Sequence, residues 1–284
     1  MRATRTEFAV EVIATVDKKD RPVSVPAQTY RASGVFCEEE LPLQREQLLD
    51  VFVNDILTMR VGCSEGSLVE LVVGRLYTEG LIAGLDEIDC MSVCDRSMRA
   101  DVYLKDREAD LSRRHVETVP TCCTMNRTLN DYFGRGEALR PVQPIAWSPE
   151  WVLDAARDFR RDTPMHRATG GAHSCRLVGE GGVLVCCEDI GRHNALDKAI
   201  GMALTRGIDL RACVAFTSGR VPTDMAVKAV RAGIPVLATC KVATDKALEL
   251  AREYDLTLVV QATCDSFRIL CGELPNGGLA AGAA

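Results

Sequence analysis

Aromatic side chains are scarce in this 284-residue chain, at 5%. An interior must therefore rest on Val, Leu, Ile and Ala, and 47% hydrophobic residues beside 26% charged ones supply a core and exclude a disordered polymer. Basic charge is not in excess: the net charge of −6 argues against a non-specific nucleic-acid binder and leaves room only for local basic pockets. No apolar run reaches the roughly 18 residues of a membrane span. Arg2, Arg5, Asp17, Lys18 and Lys19 surround the first strand-like run, which does not read as a signal peptide. The expected location is the cytoplasm, without membrane or nucleic-acid partners. Internal repeats are also missing.

Cysteine is abundant, with thirteen residues. Without a secretory signal, such a count favours reduced thiols over a disulfide framework. Most should pack as small hydrophobes, Cys213 and Cys240 among them, beside buried-strand patterns. Cys90 and Cys94 lack the two further ligands that structural zinc requires, so no metal site is expected. Cys122 and Cys123 differ, because they stand side by side in "VPTCCTMNRTLND", where apolar periodicity is absent. Their Cα atoms are about 3.8 Å apart, short of the usual disulfide span. Arg113, Arg114, His115 and Arg127 flank them, and nearby cations raise the thiolate fraction that nucleophilic sulfur chemistry needs.

Patterning divides the chain into a mixed α+β unit over 1–104, a long connection over 105–146, an α/β unit over 147–272 and a tail over 273–284. In the first unit "FAVEVIATV" predicts a strand and "LLDVFVNDILTMRVG" a hairpin turning at Asn54-Asp55. "SLVELVVGRLYTEG" predicts a helix with a Ser67–Glu70 capping box and a stop at Gly80. "EIDCMSVC" and "ADVYLK" add two strands. The connection is charged and rich in turn residues, as functional or disordered segments are. The second unit opens with a helix from Ser148 and Pro149 to about Arg161 and runs α-β-β-α-β-α-β-α-β. That alternation predicts a sheet with parallel strands between two helical layers.

In such sheets ligands collect beyond the carboxyl ends of the parallel strands. Three successive turns, "EDIGRHNALDK", "TSGRVPTDMAVK" and "TCKVATDKA", should gather Arg192, His193, Asn194, Arg220 and Lys241 on one edge. Helix N-termini and arginines there suit a phosphate-bearing ligand. The plainer alternative is a set of polar connectors in which His193 caps its helix. The element order matches the cytidine-deaminase-like fold. The zinc deaminases' ligand sequence is replaced by "GRHNAL" and "GRVPTDM", so a hydrolytic zinc site is not expected.

"TGGAHSC", "EDIGRHNALDKAIG", "SGR" followed by Lys228, "AGIPVLA", "TMR" and "GRLYTEGLI" together resemble the FdhD/NarQ family of formate dehydrogenase accessory sulfurtransferases, over nearly the whole chain. The resemblance implies a deaminase-like α/β domain behind a smaller N-terminal domain, and a homodimer. It also implies an activity: sulfur is taken from a cysteine desulfurase as a persulfide. It then passes to the molybdenum (or tungsten) bis-molybdopterin guanine dinucleotide cofactor of the formate dehydrogenase catalytic subunit. By the same resemblance Cys123 is the sulfur carrier, with Cys122 as backup or resolving thiol. Gln261, Ala262, Thr263, Cys264, Asp265 and Ser266 form the cofactor-binding segment, together with Arg192, His193, Asn194 and Arg220. Asn126 or Met125, according to register, stands where the family's C-x-x-C has its second cysteine. Pro222 and Asp224 replace a serine and a glutamate of the family pattern. A cofactor-holding chaperone that moves no sulfur, and a nucleotide-acting deaminase-like enzyme, are the alternatives.

Overall fold

A computed structural model describes residues 11–15, 22–107, 117–119, 139–159 and 163–275. The first unit is a six-stranded sheet in the order β1-β6-β7-β4-β5-β8. Its strands are β1 (Glu11–Thr15), β4 (Gln47–Val53), β5 (Ile56–Cys63), β6 (Ile88–Cys94), β7 (Arg99–Leu104) and β8 (Glu117–Val119). Asn54 and Asp55 both take positive φ, 49° and 65°, the left-handed pair that a two-residue hairpin between β4 and β5 requires. Helix α1 (Leu68–Thr78) buries Leu68, Leu71, Val72 and Leu76 against Leu49, Val51 and Val61 of the sheet. It ends before Gly80, at φ 67°.

The expected capping box does not form. Ser67 sits at φ 54°, in the left-handed region, and its hydroxyl makes no cap hydrogen bond. A side chain caps from the extended region, where its oxygen faces the free N–H groups. Strand β8 lies within the segment read as a connection, and pairs in parallel with β5, Val61 opposite Val119. Also unanticipated is a separate antiparallel hairpin of β2 (Val23–Tyr30) and β3 (Phe36–Leu43). Tyr30 and Phe36 meet at its tip with their rings tilted by 49°, centroids 4.9 Å apart, and both are more than 60% exposed.

The second unit has the strand order β10-β9-β11-β12-β13-β14: β9 (His173–Gly179), β10 (Gly182–Asp189), β11 (Val214–Thr217), β12 (Val236–Thr239), β13 (Thr257–Val260) and β14 (Arg268–Cys271). One face packs on α2 (Pro149–Phe159), where Trp147, Val152 and Ala155 meet Phe216, Val236 and Val259. The other packs on α4 (Arg192–Thr205), α5 (Thr223–Arg231) and α6 (Asp245–Glu253), where Leu196, Met225 and Leu250 meet Leu177, Ala215 and Leu237. A short helix, α3 (Pro164–Thr169), precedes β9. The helical layers are as the alternation predicts; α3 and β14 are additions.

The two units join where α1 crosses α4. A Cβ on Gly74 would fall 1.8 Å from the carbonyl oxygen of Asp197, and one on Gly201 would fall 1.9 Å from that of Glu70. Only glycine permits this approach. Beside the crossing lies a buried charge quartet. Asp197 accepts from Arg75 Nη1 at 3.2 Å, Thr78 Oγ1 at 2.7 Å and Lys228 Nζ at 2.9 Å. Glu79 Oε1 lies 3.1 Å from Lys228 Nζ and 3.3 Å from Arg75 Nε. Two positive and two negative charges cancel, the condition under which buried ions are tolerated.

Candidate active site: the carboxyl rim of the second sheet

Strand β10 is antiparallel to β9, and β9 to β11; β11, β12 and β13 are parallel. Four strands therefore end on one rim, which collects the three turns as predicted. The turns are laced together. Ser218 and Ser174 exchange hydrogen bonds, Ser218 N to Ser174 O and Ser174 N to Ser218 Oγ, both 2.9 Å. Gln261 N donates to Lys241 O at 2.8 Å, and Ala262 N to Thr239 O at 3.0 Å. Arg220 and Lys241 are exposed on this rim. The half-buried Arg192 crosses Gly219 so closely that a Cβ there would meet its Cδ at 2.7 Å.

His173, at the start of β9, faces the same turns, with Nδ1 3.3 Å from Ser218 Oγ. The Ser218 oxygen accepts from Ser174 N–H and keeps one donor and one acceptor position for the His173 ring. Burial first, then the positive charges of Arg192, His166 and His193, hold its pKa below the ordinary 6.5. His173 lies within "TGGAHSC", where no local pattern marks it as a rim residue. Its signal was the short step from the strand start to the next turn, which only the antiparallel register reveals.

The string "EDIGRHNALDK" proves to be mostly wiring between the units. Glu188 accepts from the N–H groups of Met165 and His166 and caps α3. Asp189 Oδ2 accepts from the N–H and hydroxyl of Ser64 at 3.1 and 3.0 Å and lies 2.6 Å from Lys198 Nζ. Its Oδ1 accepts from Gly191 N and Asn194 Nδ2, each 2.9 Å away. Asn194 also donates to Gly62 O at 2.7 Å, so both its amide protons are spent inside the protein. His193 Nε2 lies 2.7 Å from Asp224 Oδ2, the carboxylate that stands in for the family's glutamate. Of this string Arg192 is the residue left to face the rim, while Asn194 and His193 are buried.

The FdhD/NarQ family model matches residues 44–274, across both units. The chain belongs to the FdhD/NarQ family. A protein named sulfur carrier protein FdhD from Shouchella clausii is 30% identical over 227 residues, 77% of this chain and 83% of the relative. One of the same name from Listeria monocytogenes is 27% identical over 244 residues, 84% of this chain and 93% of the relative. A solved structure described as a formate dehydrogenase accessory protein from Desulfotalea psychrophila shares the fold, with TM-score 0.73 and 23% identity, covering 88% of this chain and 96% of that one.

In this FdhD/NarQ member Cys122 and Cys123, with their flanking Arg113, Arg114, His115 and Arg127, lie outside the described residues. Among the described cysteines, burial pushes the Cys187 thiol up to about 12 and Cys213 to about 11, and Cys175 well above its usual range. Those thiols pack as predicted. Cys240, half-buried, has its Sγ 3.6 Å from Ser218 O at the rim. The segment after β13 is a tight turn: Thr263 N donates to Ser266 O at 2.8 Å, while Thr263 Oγ1 accepts from Asp265 N and Ser266 N. Gln261, Thr263, Asp265 and Ser266 are exposed, Cys264 is half-buried, and Ala262 is buried. Just past the turn, Phe267 packs on Trp147 and the exposed Arg268 donates to Gln261 Oε1. Among the described residues no group of three or more His, Cys, Asp or Glu is placed to hold a metal, and no helix is long and apolar enough to cross a membrane.

Proposed function

We propose that this chain is the sulfur carrier for a formate dehydrogenase. It takes persulfide sulfur from a cysteine desulfurase on Cys123 or Cys122 and delivers it to a molybdenum or tungsten bis-molybdopterin guanine dinucleotide bound at the carboxyl rim. The observation that carries this reading is the rim itself, with Arg192, Arg220 and Lys241 at consecutive strand ends beside the exposed Gln261–Ser266 turn, in a chain whose relatives are named sulfur carriers. Guanidinium groups bind phosphate oxygens in pairs, and helix N-termini favour the same charge. The cargo's two pyrophosphates and two guanines match a rim of cations and small polar groups.

The chemistry divides between the thiol and the rim. A carrier thiolate attacks the outer sulfur of the donor's persulfide; the donor's S–S bond breaks, its cysteine leaves as thiolate, and the carrier now holds the persulfide. The described buried thiols cannot do this, because burial keeps them protonated. At the rim Arg192 and Arg220 neutralise phosphate charge and orient the cargo. His173, held neutral by burial, faces the cargo without adding like charge. Strand β8 sets Val119 beside Val61 of β5, and just beyond, Gly62 O accepts from Asn194 and Ser64 N donates to Asp189 below Arg192.

We read the chain as a homodimer as well. An isolated two-stranded hairpin is marginal in water, and the β2–β3 hairpin with its exposed Tyr30, Val35 and Phe36 needs a cover, which a second copy would supply. The helical layering of the second unit supports the deaminase-like reading of its fold.

The deciding experiment loads the purified protein with sulfur from a cysteine desulfurase and 35S-cysteine. Label that is lost on reduction and absent from a Cys122→Ala/Cys123→Ala double variant supports the carrier. Cofactor binding without any label on either cysteine leaves a chaperone that moves no sulfur.

A further inference from the structure

Opposite the rim, at the amino ends of β11 and β12, the ends of α1 and α5 and the chain at Leu139–Gln143 enclose a cleft of about 930 Å³. Small-molecule sites commonly run from about 300 to 1,000 Å³, so a nucleotide-sized molecule fits. Leu81, Ile82, Val142 and Val230 make apolar walls. Three guanidiniums, Arg140, Arg211 and Arg231, border the cleft against a single carboxylate, Glu87. Glu87 is tied to the wall, its Oε2 accepting from Ala83 N at 3.1 Å.

The three cations differ in what holds them. Arg211 is paired with Asp209, Nε to Oδ1 2.9 Å. Arg140 and Arg231 have neither a hydrogen bond nor an ion pair among the described residues, and Arg231 Nε is buried with no acceptor. A guanidinium nitrogen buried without a protein acceptor calls for one from outside the chain, a water or an anion. The fold makes room for it. Gly80, at φ +67°, presents no side chain where a Cβ would lie 2.1 Å from Arg231 Nη1. Beside Arg211 the Tyr77 hydroxyl is a further donor that makes no hydrogen bond among the described residues.

We propose that this cleft binds a small dianion, a phosphate or paired carboxylates carried on an apolar body, through Arg140 and Arg231. The site is separate from the rim and does not rest on the sulfur-carrier reading. Its apolar walls would take the body of the ligand, and the two unengaged guanidiniums its charge, with bidentate geometry available to each.

Calorimetric titration of the full chain at low salt, with phenyl phosphate and separately with succinate, tests this. Arg231→Gln, Arg140→Gln and a rim control, Arg192→Gln/Arg220→Gln, are titrated in parallel. The expected result is a binding site for at least one dianion that Arg231→Gln and Arg140→Gln each weaken about ten- to a hundredfold, the worth of a hydrogen bond to a charged group. The rim control should leave that site intact. Whichever dianion binds identifies the ligand class. Failure of both to bind at millimolar concentration, or a site lost only in the rim control, overturns the proposal. Should Arg231→Gln not fold, the exposed Arg140→Gln decides, and an unchanged affinity there overturns it equally.

Discussion

Lys228→Met tests how the two units are held together. Lys228 Nζ lies 2.8 Å from Thr78 Oγ1, 3.1 Å from Glu79 Oε1 and 2.9 Å from each carboxylate oxygen of Asp197. The side chains of Arg75, Glu79, Asp197 and Lys228 are each no more than 2% exposed. With the ammonium gone, Arg75 alone faces two carboxylates, and one negative charge is left uncompensated in a buried site. Breaking a buried pair from one side costs about 3–5 kcal/mol, a large share of the roughly 5–15 kcal/mol that holds a domain folded. Glu79→Gln alone leaves the opposite surplus and should also destabilise. Combined, the two substitutions restore neutrality, so their costs should fall short of additivity by about 2 kcal/mol. Urea unfolding followed through the buried Trp147 measures all four corners of the cycle. A single-variant cost under about 1 kcal/mol, or strict additivity, refutes the account of a mutually neutralising cluster.

Alkylation with iodoacetamide at pH 8 should leave Cys175, Cys187 and Cys213 unmodified in the folded protein, as mass spectrometry of peptides would show; with its pKa near 12, Cys187 is thiolate about one part in 10⁴ of the time. Because the unfolded thiol ionises near 9 and the folded one near 12, the unfolded state sheds its proton first, and stability should decline as pH rises from 9 towards 12. Proton NMR should place the His173 titration below 6.5, and Arg192→Gln should move it upward by removing a repelling charge; no movement would reassign the shift to burial alone. Since His173 resists protonation in the fold, its contribution to stability is lost as pH falls below 6.5. Gly219→Ala should displace the Arg192 side chain and weaken guanosine diphosphate binding at the rim several-fold, and because the new methyl also lies 2.8 Å from Arg192 Cβ, which the helix backbone holds, it should lower the melting temperature as well; unchanged binding would refute the role given to Arg192.

The rim was legible in sequence because strand-to-helix alternation and handedness leave few topologies, and each turn carried its own cation. The Asn54-Asp55 hairpin was legible because those two residue types tolerate the left-handed region. The partners of Asp189, Asn194 and Asp197 were not, since Ser64, Gly62 and Arg75 lie more than a hundred residues away and no local pattern marks them. Polar residues next to a rim read as ligand contacts until their protons are accounted for, as with Asn194. The β2–β3 hairpin was hidden by Pro26 and Pro42, which argue against interior strands. In a two-stranded ribbon both strands are edges, and proline fits. The Ser67 cap depended on a backbone angle that composition does not report.

The glycine crossing and the charges beside it also bear on heredity. Arg75 and Glu79 belong to one half of the molecule, Asp197 and Lys228 to the other, and each half carries one of the two touching glycines. A change on either side of this seam demands an answering change far along the chain. The halves must therefore drift as a matched pair, and a chimera that borrows one half from a distant relative should fail at the seam before it fails at the rim.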